Sequence, residues 1–403
     1  MKLSKWSQLF LVSIIGLVLA SLLAACQLVT IDFVFVAASA GNTSGSAGQI
    51  YTYATDSESG ALRSGAPTVS SGGTQPVAMA VTADYNNLYV ANAGNNSVVH
   101  FSVASSGVLT SKDNVTLTNT PVSLAVNPAG SYLFAVSGTS SATLTEYPLS
   151  SGAIGSAAAT ISLTLPGYPT DTIVPTGVVV LANGNAVFVT AYDKSAYNPG
   201  GTTTSNANPG WVFGFTIGSS GALTPAAAGP FQAGVKPSAV ATDPTSRFVF
   251  VTDFASNELI GYTVLTGDTL DFMINGPFKT GDEPASLTID PRGTFIYVAN
   301  SLDATVSAYA ISLPTGTPST VVNATSGAGN STDTEPQSII VEPSLGRYVY
   351  TANNGGNDLT GFRLNPSSGA LTTAEAVPYP TGVKPTALVA VPHGNHAIEV
   401  VTP

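Results

Sequence analysis

The chain has 403 residues, 44% of them hydrophobic and only 9% charged, with 40 Gly, 27 Pro, 1 Cys and 3 His. One cysteine rules out an intrachain disulfide, and with three histidines it cannot build a Cys/His zinc cluster. A net charge of −11 argues against a nucleic-acid partner, and the apolar content argues against a disordered chain.

The first 25 residues read as an export signal. Lys2 and Lys5 give a short basic start, and Leu9 to Leu23 is an almost unbroken apolar run, short for a membrane-spanning helix. It ends in Leu23-Ala24-Ala25-Cys26, which resembles the bacterial lipobox. That resemblance implies a lipoprotein signal peptide over 1–25 and a diacylglycerol on the Cys26 thiol. More than one acyl chain is what stable anchoring needs. Gln27 follows. By resemblance to lipoprotein sorting, a non-aspartate there implies a place in the outer membrane or on its periplasmic face.

The remainder is a repeat. A proline-led strand recurs at Pro76, Pro121, Pro175, Pro237, Pro284, Pro336 and Pro385, reading PVAMAV, PVSLAV, PTGVVV, PSAVAT, PASLTI, PQSIIV and PTALVA. The second position after each proline is small: Ala78, Ser123, Gly177, Ala239, Ser286, Ser338, Ala387. The next is always apolar, from Met79 to Leu388. A turn such as Asn127-Pro128-Ala129-Gly130 leads to a second strand of the YVAN type, with Tyr89, Phe134, Phe188, Phe250, Tyr297 and Tyr350. A third strand carries Tyr53, Phe101, Tyr147, Phe215, Tyr262, Tyr309 or Phe362, and an SSGAL-type turn leads to a fourth.

Four-stranded units repeated seven times predict an all-β, seven-bladed β-propeller with four antiparallel strands per blade. A lone sheet with two apolar faces needs neighbours to cover it. The proline strand is placed innermost, where proline at a strand's first residue loses no ladder bond. The last proline strand lacks third and fourth strands, and the first third-type strand, Gln49 to Ala54, lacks a proline strand. Joining them closes the ring. The expected division is a signal peptide over 1–25, a lipidated tether over 26–48 and a single propeller over 49–403. Either residues 30–38 or residues 396–401 supply the second strand of the closing blade.

The pattern of proline strand, D/N-P-x-G turn, YVAN, aromatic strand and SSGAL resembles the seven-bladed lactonase family, which includes bacterial 6-phosphogluconolactonase and fungal carboxymuconate cyclase. The resemblance covers roughly 49–403. It implies a ligand site at the mouth of the channel, on the face built by the loops from strand four to strand one and from strand two to strand three. It also implies His, Arg and Glu around that face in active members. Here His100 lies inside a third strand, His393 and His396 fall on an opposite-face turn, and Arg247, Arg292 and Arg347 accompany such turns.

The mouth is left with Lys236, Asp253 and Glu283 as candidate catalytic residues, a carboxylate base beside a lysine. Asn92, Asn300, Asn353, Glu335 and Lys384 are candidate ligand contacts. Blade three carries the longest mouth loop, Tyr192 to Gly210, a candidate lid. No metal site and no cofactor are expected. Two functions follow. One is an envelope binding module for a carbohydrate, lactone or envelope protein. The other is a lactone hydrolase of the 6-phosphogluconolactonase kind using a carboxylate base. A monomer held to the membrane by Cys26 is expected in either case.

Overall fold

The computed structural model describes residues 29–41, 45–197, 208–321 and 330–393. Among these, the only helix is a single 3-10 turn, Ala93–Asn95, and all other regular structure is strand. No described helix is long and apolar enough to cross a membrane.

The strands form seven antiparallel sheets, each one blade. Blade 1 is typical, with Pro76–Val81 innermost, then Asn87–Asn92, Ser97–Val103 and Leu109–Thr116. Blades 2 to 6 start at Pro121, Ile173, Pro237, Pro284 and Pro336, and their fourth strand is broken into two short pieces. Blade 7 is assembled from both ends of the chain. Val383–Pro392 is its inner strand, followed by Thr30–Ser39 and Ala47–Asp56.

Consecutive inner strands touch all round the ring, and Val383–Pro392 meets Pro76–Val81 to complete it. The prediction of a closed seven-bladed circle therefore holds. Thr30–Ser39 is the second strand of the closing blade, with Val36 paired to Leu388 and Phe33 to Val391. This moves the start of the propeller back from residue 49 to residue 30 and removes most of the expected tether. The other candidate, 396–401, lies outside the described residues, as does the lid segment 198–207.

Each of the seven junctions between blades has its own apolar cluster. Phe33, Phe35 and Ile50 of blade 7 pack on Met79, Leu88 and Val90 of blade 1. Blades 6 and 7 bury Tyr348, Tyr350, Val34 and Leu388 together. The apolar residue three places after the proline is thus a wedge between sheets. The small residue before it allows neighbouring inner strands to approach. Two of the serines at this position also bond across: Ser123 Oγ accepts from the Val178 amide at 3.3 Å and Ser338 Oγ from the Leu388 amide at 3.1 Å.

The recurring aromatics reach from blade to blade. Second-strand tyrosines donate to the glycine carbonyl of the next blade's SSGAL turn: Tyr89 to Gly152 (2.6 Å), Tyr297 to Gly369 (2.9 Å) and Tyr350 to Gly60 (2.7 Å). Third-strand tyrosines donate backwards, Tyr262 to the Gln232 carbonyl and Tyr309 to the Lys279 carbonyl. The phenol ends of these large apolar side chains are thereby satisfied inside the ring.

Candidate functional site

The mouth is built where each proline strand begins beside the end of a second strand, as in the pairs Pro76 with Asn92, Pro237 with Asp253 and Pro284 with Asn300. The residue before the proline forms the rim. In blades 4 to 7 these rim residues are Lys236, Glu283, Glu335 and Lys384. Glu283, Glu335 and Lys384 have φ of 54°, 54° and 52°. A left-handed backbone costs a non-glycine residue about 1–2 kcal/mol, and hydrogen bonds hold it here. The Glu283 carbonyl accepts from the Ser301 amide and the Glu335 carbonyl from the Asn354 amide, both at 2.8 Å. The amides of Glu283 and Lys384 donate to Asn257 Oδ1 and Asn357 Oδ1, at 2.9 and 2.8 Å.

The three predicted catalytic residues do not converge. Asp253 is wholly buried, and its carboxylate is occupied by the main chain. Oδ2 accepts from the Val235 amide (2.7 Å); Oδ1 accepts from the amides of Lys236 (2.9 Å) and Ala255 (3.1 Å). It is a cap that folds the loop entering blade 4, with both oxygens bonded to main-chain amides and the whole side chain withdrawn from solvent. Gly234, at φ +71°, makes room for it, since a Cβ there would lie 2.1 Å from Oδ2. Among the described residues no ion pair links Lys236 to Asp253 or to Glu283.

Lys236 instead sends its ammonium over aromatic rings. Nζ is 4.5 Å from the centroid of Phe254, 5.5 Å from Tyr197 and 5.8 Å from Tyr192. The two tyrosines pack edge to face at 5.4 Å. All four side chains are partly exposed. Tyr192 and Tyr197 belong to the loop region of blade 3 that its length had singled out. Two of the aromatic partners, Tyr192 and Tyr197, stand at the start of the longest insertion, which is a signal in the sequence, whereas Phe254 follows Asp253 in blade 4 and carries none.

The asparagines are corrected too. Asn92, Asn300 and Asn353 are fully buried and bond to the sheet ends, with Asn300 Oδ1 left without a partner among the described residues. Asn92 Oδ1 accepts from Ser71 Oγ at 2.6 Å and its Nδ2 donates to the Ser71 carbonyl. Asn300 Nδ2 donates to Thr305 Oγ1 and Ser307 Oγ. Asn353 Nδ2 donates to Asp358 Oδ1 (2.7 Å) and Thr360 Oγ1 (2.9 Å). The mouth's chemistry therefore lies in charged and aromatic groups, not in a neutral amide lining.

A carboxyl pair in blade 6 was missed. Asp358, 7% exposed, has its carboxyl pushed up to about 6, first by burial and then by the adjacent Asp333. Asp333 is held low, chiefly by the Thr334 amide at 2.6 Å. Two neighbouring carboxyls split in this way can share a proton near neutral pH. In the sequence they stand 25 residues apart, on the loop entering blade 6 and the start of its third strand, so only the closed blade brings them together.

His100 is 3% exposed, held between Asp113 Oδ2 (2.8 Å) and Asn87 Oδ1 (2.9 Å) and stacked on Tyr89. His393 packs against Phe33 at the far end of blade 7. Among the described residues no group of three His, Cys, Asp or Glu is arranged to hold a metal ion.

With this geometry, residues 64–168 and 216–398 match the family model described as lactonase, 7-bladed β-propeller. The chain belongs to that family. Solved structures agree on the fold. The periplasmic gluconolactonase of Pseudomonas aeruginosa superposes with a TM-score of 0.73 at 18% identity, covering 90% of this chain and 99% of that one. A protein of Bacteroides uniformis described as a candidate 6-phosphogluconolactonase gives 0.71 at 17%, covering 90% and 100%. The hydrazine synthase of Kuenenia stuttgartiensis also matches, at 0.56 and 16%, over 79% and 92%. Identities this low speak for the lactonase-type ring alone, and a ring can host unrelated chemistry. No curated protein matches the sequence.

Proposed function

We propose that this lactonase-family propeller is an exported, lipid-anchored binding module of the cell envelope whose mouth takes a sugar or sugar-derived ligand. The observation that carries the reading is the Lys236 cluster. An ammonium flanked by Phe254, Tyr197 and Tyr192 can donate to hydroxyl, carbonyl or carboxylate oxygens while the ring faces cover C–H surface. Binding rather than turnover is supported by the occupied carboxylate of Asp253 and by the position of His100 and His393 away from the mouth. Export is supported by the lipobox-like Leu23–Cys26 and by the periplasmic place of the Pseudomonas gluconolactonase.

The test is calorimetric titration of protein lacking residues 1–26 with oligosaccharides, aldonic acids and aldonolactones. At least one class binds, and Lys236→Met and Tyr192→Ala each weaken it. Silence across the panel, or affinity untouched by both substitutions, overturns the reading.

A second reading is lactone hydrolysis by a carboxylate base, and the split Asp333–Asp358 pair favours it. A carboxyl near 6 is suited to taking a proton from water at neutral pH. On this reading lactone turnover rises with pH through about 6, and Asp358→Asn abolishes it. Glu283→Gln tests the rim carboxylate as the rival base. Turnover absent from the whole lactone panel removes the second reading.

A further inference from the structure

We propose that the face opposite the mouth rests on the membrane and that the mouth opens away from it, a reading that rests on lipidation of Cys26. Val29 is three residues beyond Cys26, and its place in the ring is fixed twice. Its carbonyl accepts from the Ser57 amide at 2.9 Å, in the turn between the third and fourth strands of blade 7. The neighbouring Ile31 carbonyl accepts from Ser344 Oγ at 2.9 Å, in the turn between the first and second strands of blade 6. Both turns belong to the face opposite the mouth.

The distances decide the orientation. Three residues reach about 10 Å at full extension. An inner strand of six residues, such as Pro76–Val81, is about 20 Å long. A tether shorter than the ring is tall cannot bring the mouth down to the bilayer.

The chemistry of that face agrees. Arg247 and Arg347 are exposed there, at the ends of their turns, and they complement anionic phospholipid headgroups. Val29, Leu265 and Leu313 stand on the same rim at 49%, 48% and 50% exposure, single apolar side chains of the kind that enter an interface. Charge alone does not choose the face, since Lys236 and Lys384 stand among the mouth acids and exposed Glu58 and Asp84 among the arginines of the opposite turns, so the orientation rests on the length and attachment of the tether.

Blade 5 supplies the test, because Leu302 at the mouth and Leu313 on the opposite face are both exposed. The full-length processed lipoprotein carries Leu302→Cys or Leu313→Cys, each labelled with an environment-sensitive fluorophore. It is reconstituted in vesicles of phosphatidylethanolamine and phosphatidylglycerol containing a nitroxide lipid. The Leu313 label loses its fluorescence and the Leu302 label keeps it. Equal quenching of the two, or quenching at Leu302 alone, overturns the orientation. Mass spectrometry of the same preparation separates the two ideas. A diacylglycerol on Cys26 with the wrong quenching pattern sinks the orientation only, and an unmodified Cys26 sinks the anchor and the orientation with it.

Discussion

Lys236 and Asp253 are joined through the main chain and parted at their charges. The Lys236 amide donates to Asp253 Oδ1 at 2.9 Å, while the Lys236 ammonium turns onto the Phe254 ring at 4.5 Å. Neighbouring charges that read as an acid–base pair in sequence are thus a loop cap and a cation packed on aromatic rings.

The two substitutions should separate accordingly. Asp253→Ala leaves the half-buried amides of Val235 and Lys236 without their acceptor, and an unpaired donor costs up to about 1–3 kcal/mol when water cannot reach it. Urea unfolding should show a loss of that order. Lys236→Met gives up a cation–π contact of about 0.5–1 kcal/mol at a partly exposed site, so its midpoint stays near that of the parent while ligand affinity falls. Equal loss of stability in both variants would contradict the division of roles.

The closing blade carries a pH-sensitive contact. Asp32 and Glu342 are both fully buried. Burial pushes Asp32 well above the usual carboxylate range, and the Glu342 charge adds to it. Glu342 is raised by burial but takes the amides of Leu345 and Arg347, at 2.9 and 2.6 Å. The proton of the pair therefore belongs on Asp32, whose Oδ1 lies 2.7 Å from Ser344 Oγ. Folded carboxyls raised above their unfolded values hold protons that the unfolded chain has released. Stability is then full below about pH 4 and declines as pH rises through the pair's elevated range. Asp32→Asn keeps an N–H toward Glu342 and removes the charge, so its melting temperature should hold up at alkaline pH where the parent's falls. Parallel melting curves against pH for the two proteins would remove Asp32 as the cause.

The fold was legible because its repeat is physical. Inner strands crowd an axis, so the small position recurs from Ala78 to Ala387, and blades must wedge, so the apolar position recurs from Met79 to Leu388. The coupling between the YVAN tyrosine and the SSGAL glycine was visible only as two separate motifs, since the partners lie in different blades, Tyr297 and Gly369 for example. The site was far less legible. Asn92, Asn300 and Asn353 mark strand ends in sequence, and a strand end can cap itself or face a ligand with the same residue. Only the position of Ser71, Thr305 and Asp358 decides between these. Asp333 and Asp358 carry no signature at all until the blade closes on them.

That coupling gives its own prediction. In Tyr297→Phe the Gly369 carbonyl loses its donor inside the junction of blades 5 and 6, at a cost of about 1 kcal/mol, with the aromatic packing kept. Tyr132 makes a similar bond to the Ser220 carbonyl, but at the exposed rim, where water can replace it. Tyr132→Phe should therefore cost less than Tyr297→Phe in chemical unfolding. The reverse order would show that the buried phenol contributes little to holding neighbouring blades.

Glu146 sets a second pH dependence, which overlaps the first. It is 2% exposed and occupies the third-strand position opposite Phe134, where blades 3 to 6 have Gly214, Gly261, Ala308 and Gly361. Among the described residues its Oε2 has no hydrogen-bond partner, and burial pushes its carboxyl up to about 7. Below the ordinary glutamate value the group is protonated in both states and costs no charge burial. Between that value and about 7 the unfolded chain ionises first, so folding stability falls across this interval and levels off above it. Glu146→Gln removes the titration while keeping the shape of the side chain. The variant and the parent should be nearly equal near pH 4, and the variant should be the more stable at pH 8. A parent whose stability is flat from pH 5 to 7 in the Asp32→Asn background would show that Glu146 is already solvated in the native ring.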